Sequence, residues 1–204
     1  MSLKRIVVIA SGSGSNFQSL IDHIHGKDGN ICMMITDNPD AKAVDRATLS
    51  GIDSFILDYK KLGCDQFFDE LFNVLKNENP DLIVLAGFIK ILPGLFYNEF
   101  GYKIINIHPA LIPSFCGKGY YGIKVHQAVI DYGVKITGVT VHFADSGTDS
   151  GPIILQRAVT VSDSDTPESL QQKVLSIEHE ALVEAVSLFL NQRLIIDGRR
   201  VITI

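Results

Sequence analysis

The stretch Ile104-Ile105-Asn106-Ile107-His108-Pro109-Ala110-Leu111-Ile112-Pro113 is an apolar run that ends abruptly in an amide, an imidazole and two prolines. Runs of this kind read as buried strands of a parallel sheet. In such sheets ligands gather at the carboxyl ends of the strands. Asn106 and His108 therefore stand where a chain of this class does its chemistry. They are two residues apart, so both side chains leave the same face if the extended conformation persists. An amide donor beside a titratable ring suits the stabilisation and protonation of a developing oxyanion. The competing reading is an Asn that caps a turn and a His that is merely hydrogen-bonded. The strand-end position and the stiffening prolines weigh against it.

Working outward, strand-like and helix-like segments alternate from the start of the chain. Arg5 to Ala10, Ile31 to Thr36, Ser54 to Leu57, Leu82 to Ala86 and Lys103 to Ile107 read as strands. Between them Phe17, Leu20, Ile21 and Ile24 follow helical spacing, as do Phe68, Leu71, Phe72 and Leu75, and helices are expected over 41–50 and 93–100. This βαβα rhythm predicts a three-layer α/β/α arrangement with a mostly parallel central sheet, Rossmann-like in kind. After Pro113 the pattern changes. Ser114 to Gly122 reads as a mobile, glycine-rich loop, Ile123 to Tyr132 as a helix, Thr137 to Phe143 and Pro152 to Val161 as strands. Thr166 and Pro167 mark the start of a helix that could run to Asn191. Asp197-Gly198 centres a short C-terminal β-hairpin. No repeat, low-complexity tract or linker interrupts residues 1–204, which read as a single domain.

The chain has 204 residues, 46% hydrophobic and 20% charged, with a formal net charge of -5. That is ordinary globular composition with material for one sizeable core. It carries no global basic field for nucleic acid. Ile6 to Ala10 is too short to span a membrane, and the Ser/Gly segment after it fits a phosphate loop better than a cleavage site. Cys32, Cys64 and Cys116 are odd in number and scattered, which argues against a disulfide framework or a zinc site and fits a reducing cytoplasm. Cys32 and Cys64 read as buried small hydrophobes.

Four further segments bear on chemistry. Ser11-Gly12-Ser13-Gly14-Ser15-Asn16 follows the first strand and precedes a helix. Its glycines let backbone approach a phosphate, and the helix N-terminus offers free N–H groups. It lacks the third glycine of a dinucleotide fingerprint and the lysine of a Walker loop, so a phosphomonoester suits it better than NAD or ATP. A plain Gly/Ser turn with Ser15 or Asn16 as helix cap is the alternative. The loop from His142 to Pro152 holds Asp145 and Asp149, either of which could orient an imidazole or simply form a turn. Spacing does not say which aspartate reaches His108. A metal site from His142, Asp145 and Asp149 has no recognised ligand spacing, and none is expected. Leu85 to Pro93 either walls a flat aromatic ligand or belongs to the core. Glu178-His179, His23, His25 and His126 read by pattern as residues of solvated faces.

Together these segments resemble the phosphoribosylglycinamide formyltransferase family, the folate-dependent formyltransferases of purine synthesis. The matching stretches are Ser11 to Asn16, Leu85 to Leu92, Ile105 to Phe115, Gly138 to Phe143, Asp149 to Gln156, and Glu178-His179, in order and at fitting spacing between about residues 4 and 193. The resemblance implies an enzyme that moves a formyl group from 10-formyltetrahydrofolate, its co-substrate, to the amine of glycinamide ribonucleotide, without a metal. It implies that Asn106, His108 and Asp149 are the catalytic trio. Gly14, Ser15 and Asn16 would hold the nucleotide's phosphate and Glu178 its ribose hydroxyls. Ile89, Lys90, Ile91 and Leu92 would line the folate cleft, largely through backbone groups, with Asn106 alongside. In the implied reaction the amine attacks the formyl carbon directly, Asn106 donates to the resulting oxyanion, and His108, held partly protonated by Asp149, donates another hydrogen bond and helps move protons to the departing folate nitrogen. Some relatives carry arginines where this chain has Cys64 and Lys90, and the 115–121 loop is longer than in some. Partners are then small molecules, not nucleic acid or membrane, and the protein a monomer or homodimer. Formyltetrahydrofolate deformylase shares the trio but usually carries an extra N-terminal domain, whereas this chain begins at its first strand. Methionyl-tRNA formyltransferase carries an RNA-binding domain and a basic surface. A non-catalytic phosphosugar-binding module would not need the trio.

Overall fold

Ile6, Val7, Val8 and Ile9 are fully buried in β1 (Lys4–Ile9), the apolar run with which the chain enters its first sheet. The computed structural model describes residues 3–204. The next elements are α1 (Ser15–His23), β2 (Gly29–Thr36), α2 (Ala43–Leu49), β3 (Ser54–Ile56), α3 (Tyr59–Leu62), α4 (Cys64–Glu78), β4 (Leu82–Leu85), α5 (Gly94–Phe100) and a 3-10 turn over Gly101–Lys103. Then come β5 (Ile104–His108), α6 (Ile123–Tyr132), β6 (Ile136–Phe143), β7 (Ile153–Thr160), α7 (Pro167–Leu190), β8 (Leu194–Asp197) and β9 (Arg200–Thr203). By packing, the chain divides into two units: the first ends at Ile105 and the second begins at Asn106, so the division falls within β5.

In the first unit the strands lie in the order β3-β2-β1-β4, every pair parallel. All of β4 and residues Ile6 to Ile9 of β1 are apolar and buried, as strands covered on both faces require. The order turns back at β1, whose loop and that after β4 flank the switch point where open α/β sheets bind ligands. Hydrogen bonds tie the rim together: Ser11 N–H donates to the Gly87 carbonyl (3.2 Å) and Ile89 N–H to Ser11 Oγ (3.3 Å). Phe67, Phe68, Phe72, Phe88, Phe96 and Phe100 form an aromatic cluster of edge and stacked contacts around α4 and α5.

In the second unit β6 pairs antiparallel with β7, β7 parallel with β9, and β9 antiparallel with β8. The protein is thus a mixed α/β fold, mostly parallel, that ends in an antiparallel hairpin, in agreement with the sequence. The hairpin turns at Asp197-Gly198 as expected. Thr166 caps α7 in a reciprocal capping box with Ser169, with Pro167 at its first position. Three side-chain readings are corrected. Glu178 is buried at 8% exposure and His126 at 2%, where pattern had put both on solvated faces. Each sits on the inward side of a helix whose packing, not its composition, decides exposure. Cys64 is exposed rather than buried because it opens α4 at its N-terminus. The sequence reading also passed over α3, a single turn capped by Asp58 Oδ1, which accepts from Lys60 N (3.1 Å) and Lys61 N (3.3 Å).

The Thr166 cap gives a direct test of this local reading. Thr166→Ala should lower unfolding free energy by about 1 kcal/mol, measured by urea denaturation; an unchanged midpoint would show that the cap is not limiting for α7.

Candidate active site

Ile105 and Ile107 are buried on one alternation of β5, and Asn106 and His108 follow the buried Ile104 on the other. Strand geometry continues through His108, so the same-face expectation holds. Beyond the strand, Thr140 on β6 pins the chain: its Oγ1 donates to the Ala110 carbonyl (2.7 Å) and accepts from Ile112 N–H (3.1 Å). Gln156 on β7 donates from Nε2 to Thr140 Oγ1 (2.9 Å) and to the Ile112 carbonyl (3.0 Å). The one hydroxyl therefore uses its donor and both acceptor positions.

The loop between β6 and β7 supplies the carboxylate. Asp149, with φ of 53°, is left-handed, a conformation that short polar residues tolerate. Its Oδ2 lies 3.6 Å from His108 Nδ1 and accepts Gly117 N–H at 2.9 Å. Its Oδ1 lies 3.5 Å from Asn106 Nδ2 and 3.9 Å from His142 Nε2. Asp145 does something else: its Oδ1 accepts from Gly147 N–H (3.1 Å) and Ser150 Oγ (2.6 Å), closing the turn. Between the two aspartates that spacing left open, Asp149 reaches the imidazole and Asp145 shapes the loop. Arg199, in the C-terminal hairpin turn, donates to the Ser150 carbonyl (2.9 Å) and braces the same loop.

His108 is 5% exposed at its side chain, and its Nε2 donates to the Phe115 carbonyl at 2.9 Å. A carbonyl only accepts, so the proton is on Nε2 whichever state the ring adopts. Phe115 is itself left-handed (φ 50°), which turns its carbonyl onto the ring.

His142 is the residue that sequence reasoning did not place. Its Nδ1 donates to the Phe143 carbonyl (2.8 Å), leaving Nε2 to accept from Asn106 Nδ2 at 3.1 Å. Burial pushes its pKa below the usual histidine value, which keeps the accepting nitrogen unprotonated. The Asn106 amide is thereby oriented, both Nδ2 protons facing His142 and Asp149. The signal was available: Thr140 and His142 alternate on the face of β6 opposite Val139 and Val141, so they point to one place.

In the first unit, Gly14 starts α1 in a left-handed conformation (φ 69°) with no side chain capping the helix. The first-turn amides at Ser15 and Asn16 are those the sequence assigned to a phosphate. A Cβ on Gly14 would come within 2.9 Å of Ala43, so only glycine suits both the φ and the packing. Asn16 is buried and Ser15 half-buried. After β4, Ile89 and Ile91 are about half exposed while Leu92 is buried at 3%. The Lys90 ammonium forms an ion pair with the buried Asp37 and lies over the Tyr59 ring, 4.1 Å from the centroid. Glu178 is on α7 in the second unit. Among the described residues no group of three or more His, Cys, Asp or Glu could hold a metal ion, and no helix is long and apolar enough to cross a membrane.

A mostly parallel α/β fold with an amide, an imidazole and a carboxylate gathered at a strand end defines a protein equipped for group transfer by hydrogen bonding and proton movement. A family model described as formyl transferase matches residues 4–186, and the chain belongs to that family. It is 36% identical over 195 residues to the chloroplastic phosphoribosylglycinamide formyltransferase of Arabidopsis thaliana, covering 94% of this chain and 67% of that protein. It is 35% identical over 181 residues to the phosphoribosylglycinamide formyltransferase of Bacillus subtilis, covering 87% and 90%. The match to the trifunctional purine biosynthetic protein adenosine-3 of Drosophila melanogaster is 37% identical and spans 14% of that protein. Among solved structures, glycinamide ribonucleotide transformylase 1 from Symbiobacterium toebii superposes with a TM-score of 0.91 at 37% identity, covering 99% of this chain and 94% of that one. A formyltetrahydrofolate deformylase from Pseudomonas syringae superposes with a TM-score of 0.90 at 25% identity, covering 99% of this chain and 66% of that one.

The buried histidines set an acid limit on the fold. His126, with burial as the larger cause and the His108 charge second, is pushed down to about 4, and His142 is lowered as well. A folded value below the unfolded one means that the unfolded chain binds more protons over the interval. Stability is then complete above about pH 6.5 and falls as pH drops toward the folded values. The urea midpoint should be lower at pH 5 than at pH 7, and His126→Phe should lose part of that difference. An identical drop in the variant would assign it to other groups.

Proposed function

We propose that this chain transfers the formyl group of 10-formyltetrahydrofolate to the amine of glycinamide ribonucleotide, in the de novo purine pathway. The observation that carries the reading is the Asn106–His108–Asp149 cluster, with the carboxylate 3.6 Å from the imidazole, in a chain whose relatives of 35–36% identity bear that enzyme's name. The substrate amine attacks the formyl carbon, and the carbonyl oxygen takes on negative charge. Asn106 donates to that oxygen with the Nδ2 proton that faces Asp149 in the free protein, while His142 keeps the other. As the bond from the formyl carbon to the folate nitrogen breaks, the charged His108 delivers its Nε2 proton to that nitrogen, exchanging the Phe115 carbonyl for a substrate acceptor, and the proton lost by the attacking amine restores the charge on the ring. Asp149 is the counter-ion beside Nδ1 while the ring is charged. No covalent enzyme intermediate is needed.

For binding, Gly14, Ser15 and Asn16 take the nucleotide's phosphate on backbone amides, and Glu178 takes the ribose hydroxyls. The segment Ile89, Lys90, Ile91 and Leu92 receives the flat ring of the folate, with exposed isoleucines for apolar contact. The Lys90–Asp37 pair fixes that segment from beneath. Three free cysteines suit a reducing cytoplasm.

A second reading is favoured by the deformylase superposition: the same cluster would direct water to the formyl carbon. The two readings separate in one assay. Purified protein with 10-formyltetrahydrofolate should form product only when glycinamide ribonucleotide is present. Formate release without the amine would establish the deformylase instead. His108→Ala should abolish transfer while calorimetry still detects the nucleotide, and retained turnover would remove His108 from the chemistry. Asn106→Ala should lower kcat by about a hundredfold or more, the usual loss for one oxyanion donor; a change confined to KM would make Asn106 a binding residue.

A further inference from the structure

The turn after β1 contains only serine, glycine and asparagine between Ser11 and Asn16. A phosphomonoester carries nearly two negative charges near neutral pH, and backbone amides meet it with partial charge alone. The full charge nearby is on α2. Arg46 donates from Nε to the Ser13 carbonyl at 2.8 Å and from Nη1 to Gln18 Oε1 at 3.0 Å. Gln18 is held in turn, its Nε2 donating to Asp22 Oδ1 at 2.9 Å. Ala43 N–H donates to the Gly12 carbonyl at 3.2 Å, and Ala43 packs where a Cβ on Gly14 would lie.

These contacts have a directional consequence. In a trans peptide the C=O and the following N–H point in opposite directions. With the Gly12 and Ser13 carbonyls both turned toward α2, the N–H groups of Ser13 and Gly14 point away from it. Gly14 then begins α1 without a side-chain cap. We propose that Arg46 is a phosphate-positioning residue: by holding the Ser13 carbonyl it aims the cradle's amides at the nucleotide's phosphate and supplies the cation that the turn itself lacks. This rests on the nucleotide reading above and adds to it a residue distant in sequence. Arg46 acts through the loop and through its charge, without touching the reacting atoms.

The test compares glycinamide ribonucleotide with glycinamide riboside, which lacks the phosphate, by calorimetric titration without folate. Wild-type protein should bind the nucleotide far more tightly. Arg46→Gln should weaken nucleotide binding about tenfold, as for loss of a nearby unit charge together with the aim of the amides, and reduce its salt dependence. Riboside binding, kcat at saturation and the folate KM should stay unchanged. Arg46→Lys keeps the charge but not the two-pronged geometry, and should weaken the nucleotide by about threefold. Should Arg46→Gln fail to fold, the lysine variant decides alone. Unchanged nucleotide affinity, or an equal loss for nucleotide and riboside, overturns the proposal, the latter because Arg46 would then be a structural brace only. Equal binding of nucleotide and riboside by wild-type protein would overturn the phosphate cradle itself. Tight nucleotide binding without formyl transfer would leave Arg46's role standing and overturn the assigned reaction.

Discussion

The Asp149 carboxylate is the constraint on which the cluster depends. A carboxylate exposed at only 12% of its side chain is costly to bury unless its oxygens are met by donors or cations. Gly117 N–H and Asn106 Nδ2 meet them, and the two imidazoles stand close by. Reaching this position requires a left-handed backbone at Asp149, a cost of roughly 1–2 kcal/mol. The surrounding loop offsets it through the Asp145 turn and the Arg199 brace. Because Oδ2 also accepts from Gly117, the carboxylate fixes the 114–122 loop as well as the imidazole. The order of that loop and of the site is therefore one problem.

His108 shows the same economy from the other side. One nitrogen faces the carboxylate and the other donates to the Phe115 carbonyl, so the ring is held at both ends by segments that approach each other only in the folded chain. Asn106 is oriented by a histidine whose own tautomer is set by its neighbour's carbonyl. An amide held this way incurs little reorganisation when charge develops beside it, which is how preorganised donors contribute in water-poor sites.

The strands and long helices were legible because their signals are local. The β5 run, the Thr166-Pro167 start of α7 and the Asp197-Gly198 hairpin are each encoded in a few adjacent residues. So was the placing of Asn106 and His108, since a strand end and its alternation follow from the run itself. Asp149 was legible only through resemblance: Asp145 is an equally good residue by spacing, and the distinction lies in a left-handed turn. The alternation of β6 marks the face of His142 but not its partner, and Arg46 and the Asp37–Lys90 pair act through contacts between separate elements, which no window of sequence contains. The exposure of Glu178 and His126 was misread for the same reason, since a polar residue on a helix is solvated only if nothing packs against that face. The single turn α3 was missed because one capping aspartate carries it, with no periodicity.

Charge brings these levels together. The chain has a formal net charge of -5 while the proposed substrates are themselves anionic, so long-range attraction to the whole molecule is no part of their recognition. Screening limits that repulsion to within about 8 Å at physiological ionic strength, a distance inside which local donors decide the outcome. The two cations beside the first unit's proposed binding segments are used differently. Lys90 is neutralised by a buried aspartate and so fixes backbone. Among the described residues, Arg46 donates to a carbonyl and an amide oxygen, acceptors without net charge. Its positive field therefore remains available to an anion in a way that the Lys90 field does not, which favours the turn after β1 over the rim after β4 as the proposed seat of the phosphate.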